Sequence, residues 1–320
     1  MGSEATQIPH LDLSGEVLDF CHDHQGGGGD GEKWKALCGK VREALENHGC
    51  FLLFYDKIPM TLREEMFTVM KDLFDLPHET KNKYVNPRPY RSYVGKNSIL
   101  PLHESFGVDN EPGQDSAQAF ADLMWPEGHP TFSETLKSMS SKMLELDNII
   151  LRMVFESYGV GKLYDSFIQD SANTFRLMKY KVPPNNEPSA MGLLPHTDKN
   201  TLTILYQNEV QGIEVLNEDG NWVSLIVPND AFVVIVADGL KAWSNGRIPA
   251  AKHRVVMSGD KERYSFGLFS MPKEGVSIEV PAELVDNNHP LVYRPFKFSD
   301  FFYHFVNNVR DDALEAFAGI

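Results

Sequence analysis

The sequence predicts a mainly β core with flanking helices, and two observations carry that expectation. Between Phe175 and about Glu279 short β-type runs follow one another: Leu202 to Tyr206, Ile213 to Leu216, Trp222 to Ile226, Phe232 to Ala237, His253 to Met257 and Tyr264 to Ser270. Each is bounded by turn signals such as Asp219-Gly220, Pro228-Asn229-Asp230, Asp238-Gly239 or Asn245-Gly246. Many short strands at near-regular spacing make a sandwich or a barrel. Outside this stretch the apolar residues recur mostly at helical spacing.

Taken in order, Ile8 to Leu13 alternates apolar and polar residues, as a short strand does. Gly26 to Gly31, interrupted only by Asp30, reads as a flexible loop because ordering glycines is entropically costly. Trp34, Leu37, Val41, Ala44 and Leu45 then mark a helix that stops at Gly49. Cys50 to Tyr55 reads as a buried strand, and about Thr61 to Phe74 as a second helix ending before Leu76-Pro77. Tyr84 to Gly128, rich in Pro, Asn and Gly, reads as loops and short strands over the surface of a site. Thr131 to Tyr158 carries a Met-rich apolar face at helical spacing, which is expected to be core. The tail from Phe296 to Phe317 reads as helical and is expected to pack over an open end. This divides the chain into an N-terminal region (1–130), a long buttressing helix (131–170), the core (171–280) and a C-terminal helical tail (281–320).

Composition bounds the function. The 320 residues carry 30 Lys and Arg against 45 Asp and Glu, a formal charge of −15, with 42% hydrophobic and 23% charged residues. Such a chain folds rather than remaining disordered. The acidic balance argues against general binding to nucleic acid or anionic membranes, both of which present phosphate. It leaves room for a local basic pocket. Cys21, Cys38 and Cys50 are too few and too clustered for a disulfide framework, so a reducing, cytoplasmic setting is expected. No apolar run approaches the roughly 18 residues of a membrane-spanning helix. The N-terminus lacks a secretory pattern; Gly2 and Thr6 match a myristoylation pattern, but the acidic context offers no second anchor. The expected partner is a small molecule and the expected state a monomer.

The chemistry resides in the β region. His196-Thr197-Asp198 and the later His253 supply two imidazoles and one carboxylate on adjoining strands. Such a set occupies one face of an octahedral metal and leaves three positions open, as non-haem Fe(II) oxygenases require. His-x-Asp alone is weak; His10-Leu11-Asp12 is a second copy. What strengthens the first is Arg263-Tyr264-Ser265, ten positions beyond His253. Residues two apart on a strand share a face, so a guanidinium and a hydroxyl could hold one carboxylate together.

Ordered as His196-Thr197-Asp198, Leu202 to Leu205, Ser244-Asn245-Gly246-Arg247, His253-Arg254-Val255 and Arg263-x-Ser265, the chain resembles plant 2-oxoglutarate/Fe(II)-dependent dioxygenases over nearly its whole length. Leu123 to Gly128, Ala242 to Arg247 and Pro281 to Val285 narrow the likeness to the clade of glucosinolate side-chain-modifying dioxygenases and deoxypodophyllotoxin synthase. The resemblance implies a double-stranded β-helix, or jelly roll, with flanking helices. It implies Fe(II) on His196, Asp198 and His253, and the 2-oxoglutarate C5 carboxylate on Arg263 and Ser265, with Tyr180 also contacting the cosubstrate. The activity implied is hydroxylation, desaturation or ring closure of a small, mostly apolar plant specialised metabolite, consuming O2 and 2-oxoglutarate and releasing succinate and CO2. The alternative is a catalytically silent jelly-roll binding protein.

The chain departs from the family pattern in places. Met178 stands where many relatives carry an Asn before Tyr180, Phe54-Tyr55-Asp56 replaces an Asn-His-Gly, and Asn200 replaces a Gly. Other clusters carry less. Cys21-His22-Asp23-His24 reads as a solvated turn, since contiguous residues cannot close a tetrahedral site. Gly26 to Gly29 is no phosphate loop, because no Gly-Lys-Ser/Thr follows. A zinc hydrolase is disfavoured: no His-Glu-x-x-His is present, and the carboxylate clamp would have no purpose. His103 to Phe106 reads as a surface loop or a pocket wall. Phe106 and Phe269 are the substrate-pocket candidates.

Overall fold

A computed structural model describes residues 8–15, 29–95, 97–109, 115–184 and 187–320. Its strands are β1 (His10–Asp12), β2 (Cys50–Phe54), β3 (His103–Asp109), β4 (Ser171–Tyr180), β5 (Ser189–His196), β6 (Leu202–Gln207), β7 (Ile213–Leu216), β8 (Trp222–Ser224), β9 (Ala231–Val236), β10 (His253–Ser258), β11 (Arg263–Pro272), β12 (Ser277–Ile278) and β13 (Phe296–Lys297). Its helices are α1 (Gly29–His48), α2 (Met60–Asp75), α3 (His78–Lys81), α4 (Ser116–Met124), α5 (Phe132–Ser157), α6 (Tyr164–Gln169), α7 (Asp238–Trp243), α8 (Phe298–Asn307) and α9 (Ala313–Ala318).

The strands form a seven-stranded sheet in the order β1-β2-β9-β6-β11-β4-β3 and a four-stranded sheet in the order β5-β10-β7-β8. From β4 to β11 the chain passes back and forth between the two sheets, which makes the double-stranded β-helix, or jelly roll. The fold places β6 and β9 at the centre of the larger sheet, and every residue of both is buried. A strand covered on both faces needs a continuous apolar run rather than an alternating one, as Phe232 to Ala237 shows. The smaller sheet alternates instead: Val255 and Met257 of β10 are buried, while Arg254 and Val256 are half-buried.

Helix α5 buttresses the larger sheet. Phe132, Leu136, Met139, Met143, Leu146, Ile150, Met153 and Val154 are buried, so the Met-rich stripe is core as expected. Full burial of each such side chain stabilises by about 1.5–3 kcal/mol. Helices α1 and α2 lie against α5, and α5 itself touches β6 and β11. At the junction, Ser270 Oγ of β11 donates to Asp147 Oδ1 of α5 at 3.0 Å. Helix α1 stops at Gly49, which adopts φ +63°. A Cβ there would lie 2.5 Å from the Pro249 carbonyl, so the stop needs glycine both for its backbone and for space.

Several segments differ from expectation. Gly29 to Gly31 belong to α1, because the apolar face that follows draws the helix back into the glycines. Gly26 to Gly28, Cys21 to His24, Gly2 and Thr6 lie outside the described residues. The stretch 84–128, expected as loops and short strands, contains the seven-residue β3 at the edge of the larger sheet, but also α4, which buries Ala117, Phe120, Ala121 and Met124. The helix was obscured by the Pro-, Asn- and Gly-rich residues around it. Strand β5 was not among the expected strands, since Gly192 and Pro195 interrupt its β pattern. The tail is broken: α8 and α9 are separated at 308–312 and preceded by β13. No helix among the described residues is long and apolar enough to cross a membrane.

Candidate metal centre

Strands β5 and β10 are antiparallel neighbours in the smaller sheet, and their register sets His196 directly opposite His253. Asp198 follows β5 by two residues, where the chain leaves the sheet. One ligand-type atom from each of His196, Asp198 and His253 lies within 4.8 Å of the others. Among the described residues this is the group of His, Cys, Asp and Glu side chains so placed.

Hydrogen bonding fixes which atoms face inward. His196 Nδ1 donates to the Leu194 carbonyl at 2.8 Å, and His253 Nδ1 donates to the Ala251 carbonyl at 3.0 Å. A carbonyl only accepts, so both rings carry their proton on Nδ1 and present a bare Nε2 to the centre. Asp198 turns Oδ1 toward His196 Nε2, 3.5 Å away, and its Oδ2 accepts from Thr203 Oγ1 at 2.7 Å. Burial alone would raise the Asp198 carboxyl, but the adjacent His196 and His253 imidazoles and the Thr203 hydroxyl hold it well below the usual carboxylate range. Burial lowers His253 to about 4, with the His196 field adding to the effect. An ionised carboxylate and imidazole nitrogens free to coordinate are what a divalent metal requires. The donor set therefore fits Fe(II), with one face bound and the other free.

The loop bearing Asp198 is tied down on both sides. Lys199 Nζ donates to Asp238 Oδ2 at 2.6 Å and to Thr197 Oγ1 at 2.7 Å, a buried ion pair that binds the loop to α7. Gly239 donates its N–H to the Asn200 carbonyl, and a Cβ on Gly239 would approach that oxygen to 2.6 Å. Lys199 also lies 4.6 Å from the Phe305 ring centroid on α8, which links the centre to the tail.

Across the sandwich, the larger sheet carries the second cluster. Arg263 of β11 pairs with Tyr180 of β4, and Ser265 with Met178. Arg263 is 2% exposed. It donates to Gln207 Oε1 at 2.8 Å and to Ser265 Oγ at 3.3 Å, and it lies 5.0 Å from the Tyr180 ring centroid. Its Nε is buried without a partner, and among the described residues no carboxylate pairs with it. A buried guanidinium without a counter-ion is costly, so this cluster fits an incoming carboxylate. Burial also raises the Tyr180 hydroxyl, so Tyr180 meets the guanidinium as a neutral group.

A cavity of about 320 Å³ opens beside the centre, lined by His196, Asp198, Met178, Arg176, His103, Phe269 and, from α8, Phe298, Phe302 and Phe305. Phe269 is thus on the cavity wall. Phe106 is not: it points to the opposite face of β3, fully buried against Phe74, Tyr84, Tyr93 and Phe120. Strand alternation explains the difference, because His103 and Ser105 take the cavity face and leave Glu104 and Phe106 behind it. Glu104 is held there by Lys81, Lys181 and Tyr93. Burial lowers His103 to about 3, so its imidazole is neutral. The second His-x-Asp pair is not assembled into a site: His10 and Asp12 are exposed on edge strand β1, and Asp12 caps the Ser14 N–H.

Sequence reasoning missed Thr203, Gln207, Lys199 and Arg176. For the first two a signal existed. Thr203 and Gln207 share one face of β6 with Leu205, and a polar residue on an otherwise buried strand needs a partner.

Two family models match the chain: the 2OG-Fe(II) oxygenase superfamily over residues 172–272, and the non-haem dioxygenase in morphine synthesis N-terminal model over residues 8–128. A probable 2-oxoglutarate-dependent dioxygenase of Arabidopsis thaliana, AOP1.2, is 38% identical, with 97% of each chain covered. The crystal structure of the dioxygenase for auxin oxidation in rice superposes with a TM-score of 0.81 at 30% identity, over 98% of this chain and 100% of that one. The 2-oxoglutarate complex of dioxygenase for auxin oxidation 1 from Arabidopsis thaliana gives 0.77 at 28% identity, over 89% and 100%.

Proposed function

The chain belongs to the 2OG-Fe(II) oxygenase superfamily, and on that premise we propose that His196, Asp198 and His253 hold the iron while Arg263, Ser265 and Tyr180 hold the far carboxylate of 2-oxoglutarate. It is an oxidoreductase that uses Fe(II), with 2-oxoglutarate and O2 as cosubstrates. The observation that carries the residue assignment is the convergence of two bare Nε2 atoms and one carboxylate oxygen, with both Nδ1 atoms committed to backbone carbonyls.

When bound, the iron and cosubstrate supply oxidative decarboxylation to succinate and CO2, and with it the oxidising power to functionalise a C–H bond. The chain's own residues position and exclude. Thr203 keeps one Asp198 oxygen occupied, so the other is left for the metal. Gln207 orients the Arg263 fork, which offers paired donors matched to a carboxylate. The α8 aromatics Phe298, Phe302 and Phe305 line the cavity and give it an apolar wall. The substrate we infer is a small, mostly apolar plant metabolite, undergoing hydroxylation, desaturation or ring closure. Solved relatives named for auxin oxidation support a substrate of that size. Few cysteines support a cytosolic setting, where iron stays ferrous.

The test is incubation of Fe(II)-loaded protein with 2-oxoglutarate and a plant extract. A metabolite should gain one oxygen or lose two hydrogens, with succinate formed in step, and both should vanish in Asp198→Ala. Full turnover by Asp198→Ala would refute the assignment. Iron and 2-oxoglutarate binding without any turnover would favour the silent binding protein.

A further inference from the structure

Several of the enclosed guanidiniums are paired within the protein. Arg63 donates to the carbonyls of Tyr55, Ile58 and Asp230, Arg91 pairs with Asp109, and Arg254 pairs with Glu214. Arg176, on β4, is different. It is half-buried, with its open side on the cavity that also holds His196, Asp198 and Phe269. Its Nε is sealed from solvent and has no hydrogen-bond partner among the described residues. Its Nη2 makes one long bond, 3.3 Å to Ser105 Oγ. The guanidinium otherwise lies over two rings of the same wall, 5.4 Å from the Phe269 centroid and 5.9 Å from that of Tyr90.

Charge sharpens the point. The carboxylate whose field reaches Arg176 is Asp198, which the metal claims. Fe(II), Asp198, a dianionic cosubstrate and Arg263 together carry no net charge, and Lys199 is already neutralised by Asp238. The positive charge of Arg176 is left over, in a cavity whose remaining walls include Val94, Leu100, Leu193 and Phe302. An uncompensated cation in apolar surroundings is costly, and an anion brought by a ligand would offset that cost.

We propose that Arg176 anchors an acidic substrate: an apolar molecule bearing one carboxylate, held by the side of the guanidinium that opens on the cavity while its hydrocarbon lies along Phe269 toward the metal. Adjacent N–H donors of a guanidinium match the two oxygens of a carboxylate. This rests on the assignment of His196, Asp198 and His253 to the metal. It adds the chemical class of the substrate, and it places specificity on β4.

The experiment titrates the whole protein, loaded with Fe(II) and 2-oxoglutarate without O2, with matched pairs of probes: 3-phenylpropanoate, 4-phenylbutyrate and 2-naphthylacetate, each against its carboxamide. Calorimetry should show the acids binding about tenfold or more tighter than the amides. That gap should close in Arg176→Gln and narrow in Arg176→Lys, with 2-oxoglutarate affinity retained in both. Retained 2-oxoglutarate binding also certifies that the variants are folded. Equal binding of acids and amides by the unmodified protein, no binding by any acid, or a gap that survives Arg176→Gln would overturn the proposal. Loss of 2-oxoglutarate binding in Arg176→Lys would overturn it too, by assigning the residue to the cosubstrate. Failure of the unmodified protein to bind Fe(II) or 2-oxoglutarate would show before any probe is added, and would remove the metal assignment along with this inference.

Discussion

His196 and His253 face each other across β5 and β10, ring centroids 4.3 Å apart, and each donates Nδ1–H to the carbonyl two residues before it. The pairing is set by strand register, so the two Nε2 atoms are fixed by backbone geometry and not by side-chain choice alone. Asp198 has no such strand to hold it, and depends on Thr203. Thr203→Val should therefore weaken Fe(II) binding about 10- to 100-fold, the usual effect of removing a group that orients a metal ligand. Thr203→Ser, which keeps the hydroxyl, should restore most of it. Anaerobic Fe(II) titration reads both, and unchanged affinity in Thr203→Val would remove the threonine from the site.

Gln207 braces the Arg263 fork with one hydrogen bond of 2.8 Å. Such a bond to a charged group is worth about 1.5–3 kcal/mol. Gln207→Ala should raise the KM for 2-oxoglutarate about tenfold or more, and Arg263→Gln should raise it much further because the charge itself is lost. In both, the affinity for Fe(II) should stay within a few-fold. Steady-state succinate formation at varied 2-oxoglutarate checks this; an unchanged KM in Arg263→Gln would send the cosubstrate elsewhere.

Phe106 and Phe269 are both pocket candidates by sequence, and the structure separates them. Phe106→Ala would empty a packed aromatic cluster and should cost about 3–5 kcal/mol of stability. Phe269→Ala removes a cavity wall and should act mainly on substrate KM. Denaturant unfolding of the two variants distinguishes them. Equal destabilisation would mean that both rings serve the core alike.

Asp147, buried beneath Ser270, is pushed up to about 7 by burial, with the Ser270 hydroxyl opposing. The folded state keeps the proton that the unfolded chain releases near pH 4, so stability falls as pH rises from about 4 to about 7. Asp147→Asn carries no such penalty. Its melting temperature should match or trail the parent below pH 4 and exceed it at pH 8. A gap independent of pH would show that Asp147 is already ionised in the folded protein.

Much of this site was legible because it rests on strand positions. His196, His253, Arg263 and Ser265 stand on strands, where a period of two decides the face before any packing is known, and Asp198 lies two residues beyond His196. The α5 stripe was legible for the same reason at helical period. Phe106 was misjudged because its strand went unrecognised within a segment rich in turn-forming residues, and without the strand its face could not be assigned. Arg176 escaped notice for another reason. A single Arg on a strand is unremarkable until the structure shows that its Nε has no partner. The Lys199–Asp238 pair likewise joins residues 39 positions apart, a separation that no local pattern encodes.

The central claim is that His196, Asp198 and His253 form one metal site. Calorimetric titration of Fe(II) without O2, in the presence of 2-oxoglutarate, tests it most directly. The account predicts a single tight Fe(II) per chain in the unmodified protein, and its loss in Asp198→Ala and His253→Ala. Full stoichiometry and undiminished affinity in either variant would contradict it.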